Sequence, residues 1–117
     1  MTTIYGIKNC DTVRKARKWL EAHAVDYTFH DVRSDGLDKK DLSAWVKSVG
    51  WETLLNRRGT TWRQLPDEDK ETINEANAIQ LMLAQPTLIK RPVLAHNKSI
   101  HVGFKPADYE AVFSPNP

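Results

Sequence analysis

The chain has 117 residues, and its 40% hydrophobic and 27% charged content is typical of one globular domain with its own core. No apolar run approaches the roughly 20 residues of a membrane-spanning helix, and the N-terminus lacks the pattern of a signal peptide, so we expect no membrane partner. A net charge of +2 is too small to indicate a nucleic-acid partner. One cysteine rules out an intrachain disulfide and favours a reducing, cytoplasmic setting.

The first part of the chain is typical of a β-α-β unit. β-Branched and aromatic residues over 2–8 predict a strand, and the amphipathic pattern of 11–23 predicts a helix. Alternation with period two over Val25–Val32 predicts a second strand. Because one short helix connects them, the two strands are expected to be parallel, with a right-handed connection.

The middle of the chain, residues 37–85, is predicted to be mainly helical. The predicted parts are a helix over 37–49, a short helix over Trp51–Leu55, a polar loop over Asn56–Thr61, a charged helix after the Leu65–Asp67 turn, and a helix over Asn74–Ala84. Gly50 and Gln85-Pro86 are suitable helix ends. We therefore expect a helical insertion in a small α/β sheet.

The last part of the chain predicts two strands and a helix. The strands are Thr87–Leu94, which Arg91-Pro92 interrupts, and Ser99–Phe104, with a hairpin turn at Asn97-Lys98 between them. A helix over Pro106–Phe113 and a frayed tail over Ser114–Pro117 follow. A proline inside a strand pattern indicates an edge, a bulge or a cis bond. From sequence alone the edge is the commoner reading, since only about 5–6% of X–Pro bonds are cis.

Cys10 stands where the first predicted strand gives way to the first predicted helix. Unpaired N–H groups and the dipole at a helix N-terminus stabilise a thiolate, which favours a reactive cysteine over a buried structural one. The cations that could hold an anionic substrate are Lys8, Arg57, Arg58, Arg91 and Lys105. Arginine suits this role best, because its planar fork binds two oxygens at once. Asp11 opposes the thiolate unless it caps the helix.

The other candidate groups do not indicate a ligand site. His96 and His101 have no cysteine or acidic partner close in sequence, so no metal site is expected. The tryptophans are interpreted as packing residues, because no basic stripe interleaves with them.

Four motifs occur in order along nearly the whole chain. They are Ile4-Tyr5-Gly6-Ile7-Lys8-Asn9-Cys10, Leu54-Leu55-Asn56-Arg57-Arg58-Gly59-Thr60, Leu88-Ile89-Lys90-Arg91-Pro92-Val93 and Gly103-Phe104-Lys105-Pro106. With these motifs the chain resembles the arsenate reductase (ArsC)/Spx family, and within it the small YffB-like branch.

The resemblance implies an α/β fold with a thioredoxin/glutaredoxin-like mixed sheet and an inserted helical region. The chain would then be a single thioredoxin-like domain over 1–117, with its core in 1–35 and 86–114 and the insertion in 37–85. The resemblance also implies a cis peptide before Pro92, facing the cysteine.

For the active site, the resemblance implies that Cys10 is the nucleophile and that cations hold the substrate's negative groups. The family's second arginine matches Arg91, and its third falls on Lys105. The first falls at or beside Asn56, so Arg57 or Arg58 would replace it. Lys8 is a further candidate cation, and Asn9, Asp11 and Pro92 would shape the site.

Two departures from the family's motifs limit the activities that the resemblance implies. Asp11-Thr12-Val13 stands where arsenate reductases have Gly-Thr-Ser, so Asp11 places negative charge where arsenate would approach. Val13 stands where Spx regulators have the second cysteine of their Cys-x-x-Cys switch, so that disulfide cannot form.

These departures favour a thiol oxidoreductase with one nucleophilic cysteine, acting through a mixed disulfide. Glutathione would be its co-substrate, and glutaredoxin is a further candidate partner. The expected protein is a monomer without a bound cofactor. The alternatives are an arsenate reductase that uses glutathione or glutaredoxin, and a non-enzymatic Spx-like regulator that binds RNA polymerase.

Overall fold

A computed structural model describes residues 1–113, so the predicted tail lies outside the described residues. The strands are β1 Thr2–Gly6, β2 Thr28–Asp31, β3 Val93–His96 and β4 Ser99–Val102. The helices are α1 Asp11–Ala22, α2 Lys39–Val49, α3 Trp51–Leu54, α4 Thr60–Arg63, α5 Asp67–Glu71, α6 Glu75–Ala84, a 3₁₀ helix Pro86–Leu88, and α7 Pro106–Phe113. The described residues pack into two compact units, Val32–Lys90 and the segments on either side of it.

The first unit is built on a mixed sheet in the order β2-β1-β3-β4. β1 pairs with β2 in parallel, as the β-α-β pattern predicted, and with β3 antiparallel. β3 and β4 form an antiparallel hairpin whose turn contains Asn97 at φ 55°. This arrangement confirms the predicted α/β class and thioredoxin-like sheet.

The core of the first unit lies where α1 and α7 cover the central strands. Five residues form a fully buried cluster: Ile4, Ala16, Leu20, Leu94 and Tyr109. Ala16 and Leu20 belong to the apolar face that the sequence predicted for α1, and Val13 on the same face is also buried. Burying this face fixes the position of α1 against β1.

Gly6 allows β1 and α1 to approach closely. A Cβ atom at this position would lie 2.7 Å from Cγ2 of the buried Val13. A β-branched side chain has little rotamer freedom in a helix, so Val13 cannot easily turn away. The contact between these two residues therefore sets the distance from the strand to the helix that follows Cys10.

Gly6→Ala is expected to lower the free energy of unfolding by about 1–3 kcal/mol, because the added methyl overpacks this contact. Urea denaturation measures the loss. The double variant Gly6→Ala/Val13→Ala is the control, since smaller Val13 makes room for the methyl. Its loss should be less than the sum of the two single losses. Additive losses would show that the two side chains do not clash.

The second unit is mainly helical, as predicted. α2 ends at Gly50, which adopts φ 89°, and α3 begins at the next residue. Asn74 caps α6, since its side chain accepts a hydrogen bond of 2.9 Å from the N–H of Asn77. The buried residues of these three helices are Leu42, Trp45, Val46, Leu54, Ala78 and Met82.

Two predictions about chain segments were wrong. Thr87–Leu94 is not one strand: Pro86–Leu88 is a 3₁₀ helix, Ile89 forms an isolated bridge with Leu55, and β3 begins only at Val93. The loop predicted for Asn56–Thr61 is also too long, because α4 begins at Thr60. Around Ile89 the reason is pairing with a distant segment, since Asn56 donates to the carbonyl of Leu88 and Lys90 donates to the carbonyl of Leu54. α4 is instead closed by a local hydrogen bond, from the amide of Gln64 to the carbonyl of Thr60 at 3.0 Å.

Over the part of the chain that is described, no helix combines the length and the apolar character needed to cross a membrane.

Candidate functional site

Cys10 precedes the first helical residue of α1, as the sequence predicted. It has extended backbone angles, and its carbonyl accepts the first hydrogen bond of the helix, 3.0 Å from the amide of Arg14. The thiol is free and partly exposed, and no capping hydrogen bond is made by its side chain. The position therefore joins an accessible sulfur to the unpaired N–H groups of a helix start.

The loop that carries Cys10 is anchored by Asp31, which the sequence analysis missed. The amide of Lys8 donates to Oδ2 of Asp31 at 3.2 Å. Asp31 is only 5% exposed and ends β2, where it pairs with Gly6. The sequence offered a signal for this contact, because Asp31 alternates onto the same inward face as Tyr27 and Phe29. A buried carboxylate needs hydrogen-bond partners.

Asp11 does not cap α1, so that alternative was wrong. Cys10 occupies the capping position, and Asp11 lies in the first turn, where its carboxylate pairs with Arg14 one turn later. Both side chains are largely exposed, so the pair adds little stability. It does place a positive charge beside Asp11, and Arg14 was not among the predicted cations.

The peptide bond between Arg91 and Pro92 is cis, as the family resemblance implied. Pro92 is buried, and its carbonyl accepts a hydrogen bond of 2.8 Å from the amide of Gly103. Gly103 adopts φ 83°, a conformation that favours glycine. This bond joins two of the motifs on which the resemblance depends.

Lys105 is exposed and immediately precedes α7. Its carbonyl accepts hydrogen bonds of 3.0 Å from Asp108 and 3.1 Å from Tyr109. The exposed side chains of Lys8 and Asn9 belong to the loop before Cys10.

The sheet brings the Cys10 loop and the Arg91–Pro92 segment to the same end. β1 runs toward Cys10, and antiparallel β3 begins directly after Pro92, with Tyr5 paired to Val93. The same strand directions place Asp31, at the end of β2, and Gly103, after β4, at this end of the sheet. One end of the sheet therefore carries the thiol, a buried carboxylate and a cis-proline segment.

Arg57 and Arg58 lie in the second unit, and their surroundings differ. The guanidinium of Arg57 lies 5.6 Å from the ring centroids of both Trp51 and Trp62. Each such contact at an exposed site contributes about 0.5–1 kcal/mol. Arg58 donates its backbone N–H to Oδ1 of Asn56 at 3.0 Å, and its side chain is exposed. The two tryptophans thus pack on a cation, which sequence analysis did not predict.

His96 and His101 each have a hydrogen-bond partner on the sheet, Thr2 of β1 for His96 and Ser99 of β4 for His101. His96 Nδ1 lies 2.8 Å from Thr2 Oγ1, and His101 Nε2 lies 3.1 Å from Ser99 Oγ. Burial and then the neighbouring His96 lower the pKa of His101. Within residues 1–113, no three His, Cys, Asp or Glu side chains gather at a spacing that could hold a metal ion.

Comparison with known proteins identifies the family. The ArsC family matches residues 5–112. The solved structure of the YffB (PA3664) protein is 50% identical, has a TM-score of 0.94, and the match covers 97% of this chain and 100% of that one. An arsenate reductase (ArsC) related protein from Brucella melitensis is 57% identical, with a TM-score of 0.77 and coverage of 97% and 94%.

A more distant relative is the global transcriptional regulator Spx of Streptococcus pyogenes serotype M3. It is 28% identical over 116 residues, which cover 97% of this chain and 86% of the regulator. Because the family match includes nearly every residue from the first strand to the last helix, the chain belongs to the ArsC family.

Proposed function

We propose that this protein is a glutathione-dependent thiol oxidoreductase that uses Cys10 as its single nucleophile. The observation that carries the proposal is the partly exposed, free sulfur of Cys10 at the uncapped start of α1. Helix N-termini are where protein thiols become reactive. The proposal includes a reducing, cytoplasmic setting, a monomer and no bound cofactor.

The reaction has two exchange steps. The Cys10 thiolate attacks the glutathione sulfur of a mixed disulfide, forms a new S–S bond, and releases the substrate thiolate, which takes a proton. A second glutathione thiolate then attacks the glutathione sulfur now bound to Cys10. This step releases oxidised glutathione and restores the Cys10 thiolate. In sum, the glutathionylated substrate and one reduced glutathione give the substrate thiol and oxidised glutathione.

Cations would hold the negative groups of glutathione during these steps. We assign this role to Arg91 and to Arg57 or Arg58, with Lys105 and Lys8 as further candidates. Arg91 immediately precedes the cis-proline, at the end of the sheet that also carries the Cys10 loop. A carboxylate is a good partner for arginine because two parallel hydrogen bonds form.

The proposal is tested by following glutathione-dependent reduction of a glutathionylated peptide, with NADPH consumption by glutathione reductase as the readout. We expect turnover that is proportional to protein concentration and above the rate with glutathione alone. A rate equal to that background at every glutathione concentration would reject the proposed activity.

Arsenate reduction is a second candidate, favoured by the similarity to the arsenate reductase (ArsC) related protein of Brucella melitensis. The ion pair of Asp11 with Arg14 partly compensates the negative charge that an arsenate dianion would meet. Measuring the arsenite formed in the presence of glutathione and glutaredoxin decides whether arsenate is a substrate beside the glutathionylated disulfide.

Binding to RNA polymerase is a third candidate, favoured by the similarity to the Spx regulator of Streptococcus pyogenes. Val13 excludes a Cys-x-x-Cys switch at Cys10, so binding would not depend on such a disulfide. Retention of polymerase subunits on the immobilised protein, with and without reductant, tests this alternative.

A further inference from the structure

A row of basic side chains lies along α1, the helix that begins directly after Cys10. The chain has 17 Lys and Arg residues and 15 Asp and Glu residues. Four of these basic residues and two of the acidic ones belong to α1, which leaves thirteen of each in the rest of the chain. The net charge of +2 therefore resides in the helix that follows the candidate nucleophile.

Both acidic residues of α1 and two of its four basic residues have partners within the first unit. Asp11 pairs with Arg14. Arg17 donates from Nε to the hydroxyl of Tyr27 at 3.1 Å, and this hydroxyl donates to Oε2 of Glu21 at 2.6 Å. The carboxylates of the helix are therefore already compensated and do not cancel the charge of the remaining cations.

The remaining cations are Lys15 and Lys18, which form the α1 lysine pair. They lie three residues apart, and so on adjacent turns of one side of the helix. Both side chains are exposed, on the side away from the buried face of Val13, Ala16 and Leu20. Among the described residues, no hydrogen bond or ion pair engages either ammonium group. Two positive charges beside Cys10 are therefore available to the anions of a partner.

The distance from Cys10 to the α1 lysine pair determines where the anions of a partner must lie. Lys15 and Lys18 follow Cys10 by five and eight residues. At a rise of about 1.5 Å per residue they lie about 7.5 Å and about 12 Å farther along the helix. An extended peptide advances about 3.3 Å per residue, so these distances correspond to roughly two to four residues of a bound chain.

We propose that the α1 lysine pair is a docking surface for an acidic polypeptide substrate, with Asp or Glu roughly two to four residues from its glutathionylated cysteine. This proposal rests on the proposed function and names the class of substrate. The Cys10 thiolate attacks the glutathione sulfur, and the cysteine of the docked chain leaves as a thiolate and takes a proton. Two free cations neutralise only about two phosphates, too few to hold a nucleic acid at physiological salt.

The test compares two glutathionylated peptides that carry either Asp or Ser at the second to fourth residues after the cysteine. The glutathione reductase assay gives kcat/KM for each, and the ratio of acidic to serine peptide is compared between proteins, which cancels the peptides' own reactivity. Lys15→Glu/Lys18→Glu should lower this ratio about three- to tenfold, the effect of two exposed charge pairs. Added salt should lower the ratio of the wild-type protein, since exposed charges are screened.

A matched control moves the same change of charge to the other end of the sheet. Lys98 is exposed in the β3–β4 turn, and the pairing of Thr2 with His96 places this turn away from Cys10. Lys98→Glu should keep the wild-type ratio, whereas Lys18→Glu alone should lower it. A third peptide with its Asp residues moved seven to nine residues from the cysteine should react like the serine peptide.

The reaction of Cys10 with uncharged 2-hydroxyethyl disulfide separates this proposal from the proposed function. Its rate should be the same within about twofold in all the variants, because no charged group is recognised. If the wild-type protein turns over both peptides but Lys15→Glu/Lys18→Glu keeps the ratio, the docking surface is wrong and the thiol activity stands. An equal fall with Lys98→Glu, or an equal gain from distant Asp residues, would show attraction by net charge and also overturn it. If neither peptide is turned over, the proposed function fails as well.

Discussion

Cys10→Ser is expected to lower the glutathione-dependent reductase rate by at least about a thousandfold, the scale of losing a catalytic nucleophile. A serine hydroxyl cannot form the mixed disulfide through which both exchange steps pass. The side chain is partly exposed and nearly the same size, so unfolding free energy should change by less than about 1 kcal/mol. The coupled NADPH assay and urea denaturation measure the two quantities.

Thr12→Ala provides the control for this substitution. Thr12 is exposed in the same helical turn as Asp11, so the variant alters the surroundings of Cys10 but not its sulfur. It should keep the wild-type rate within a few-fold. A Cys10→Ser protein as active as Thr12→Ala would show that the reaction does not pass through this cysteine.

Tyr109→Ala is expected to lower the free energy of unfolding by about 3–5 kcal/mol, as for other buried aromatic residues cut back to alanine. Tyr109 is only 1% exposed. Its ring packs edge-on against Trp19 at 5.5 Å and Phe104 at 4.8 Å between centroids. The cavity would therefore open between α1, α7 and the segment after β4. Urea denaturation with a two-state fit measures the loss.

Tyr109→Phe is the matched control, because it keeps the ring and removes only the hydroxyl. That hydroxyl is buried and has no hydrogen-bond partner among the described residues. Its removal should leave the stability at pH 7 unchanged or raise it, since no bond is lost and a desolvated polar group disappears. A large loss in Tyr109→Phe would show that the hydroxyl has a partner.

The same pair of proteins predicts a difference in alkaline solution. Burial raises the pKa of the Tyr109 phenol well above its usual value. In the unfolded chain this phenol ionises near pH 10, whereas in the folded protein it stays protonated. The free energy of unfolding of the wild-type protein should therefore fall as the pH rises above about 10, because the unfolded chain releases this proton and the folded protein keeps it. Between pH 9 and pH 11, Tyr109→Phe should lose less free energy of unfolding than the wild-type protein. Equal losses would contradict burial of this hydroxyl.

The sequence predicted those parts of the fold that depend on local periodicity. The face of α1 formed by Val13, Ala16 and Leu20 followed from helical spacing alone, and Cys10 at the helix start followed from its neighbours. The β3–β4 hairpin followed from the turn at Asn97. In each case the residues that decide the structure are adjacent in the chain.

Parts that depend on distant hydrogen bonds were not predictable in this way. Ile89 looks like a strand residue, but its partner is Leu55 and not the central sheet. Asp31 looks like a strand end, and its bond to the Lys8 amide appears only when β1 and β2 are paired. The cis bond at Pro92 followed from the family resemblance and not from the pattern, which favoured an edge-strand proline.

The surroundings of Arg57 and Arg58 show the same limit within the second unit. They are identical residues, adjacent in sequence and both exposed. Only the positions of Trp51, Trp62 and Asn56 distinguish them, and these depend on how α3, α4 and the loop pack.

The central claim is that Cys10 is a reactive thiol that exchanges with glutathione, and intact-mass spectrometry tests it most directly. The protein is incubated with oxidised glutathione from pH 5 to pH 9, beside an unstructured cysteine peptide whose thiol ionises near pH 8.5. We expect one glutathionyl group per chain, on Cys10, forming faster than on the peptide below about pH 8 and removed by reduced glutathione. Failure to form this adduct, or formation no faster than on the peptide at every pH, would contradict the claim.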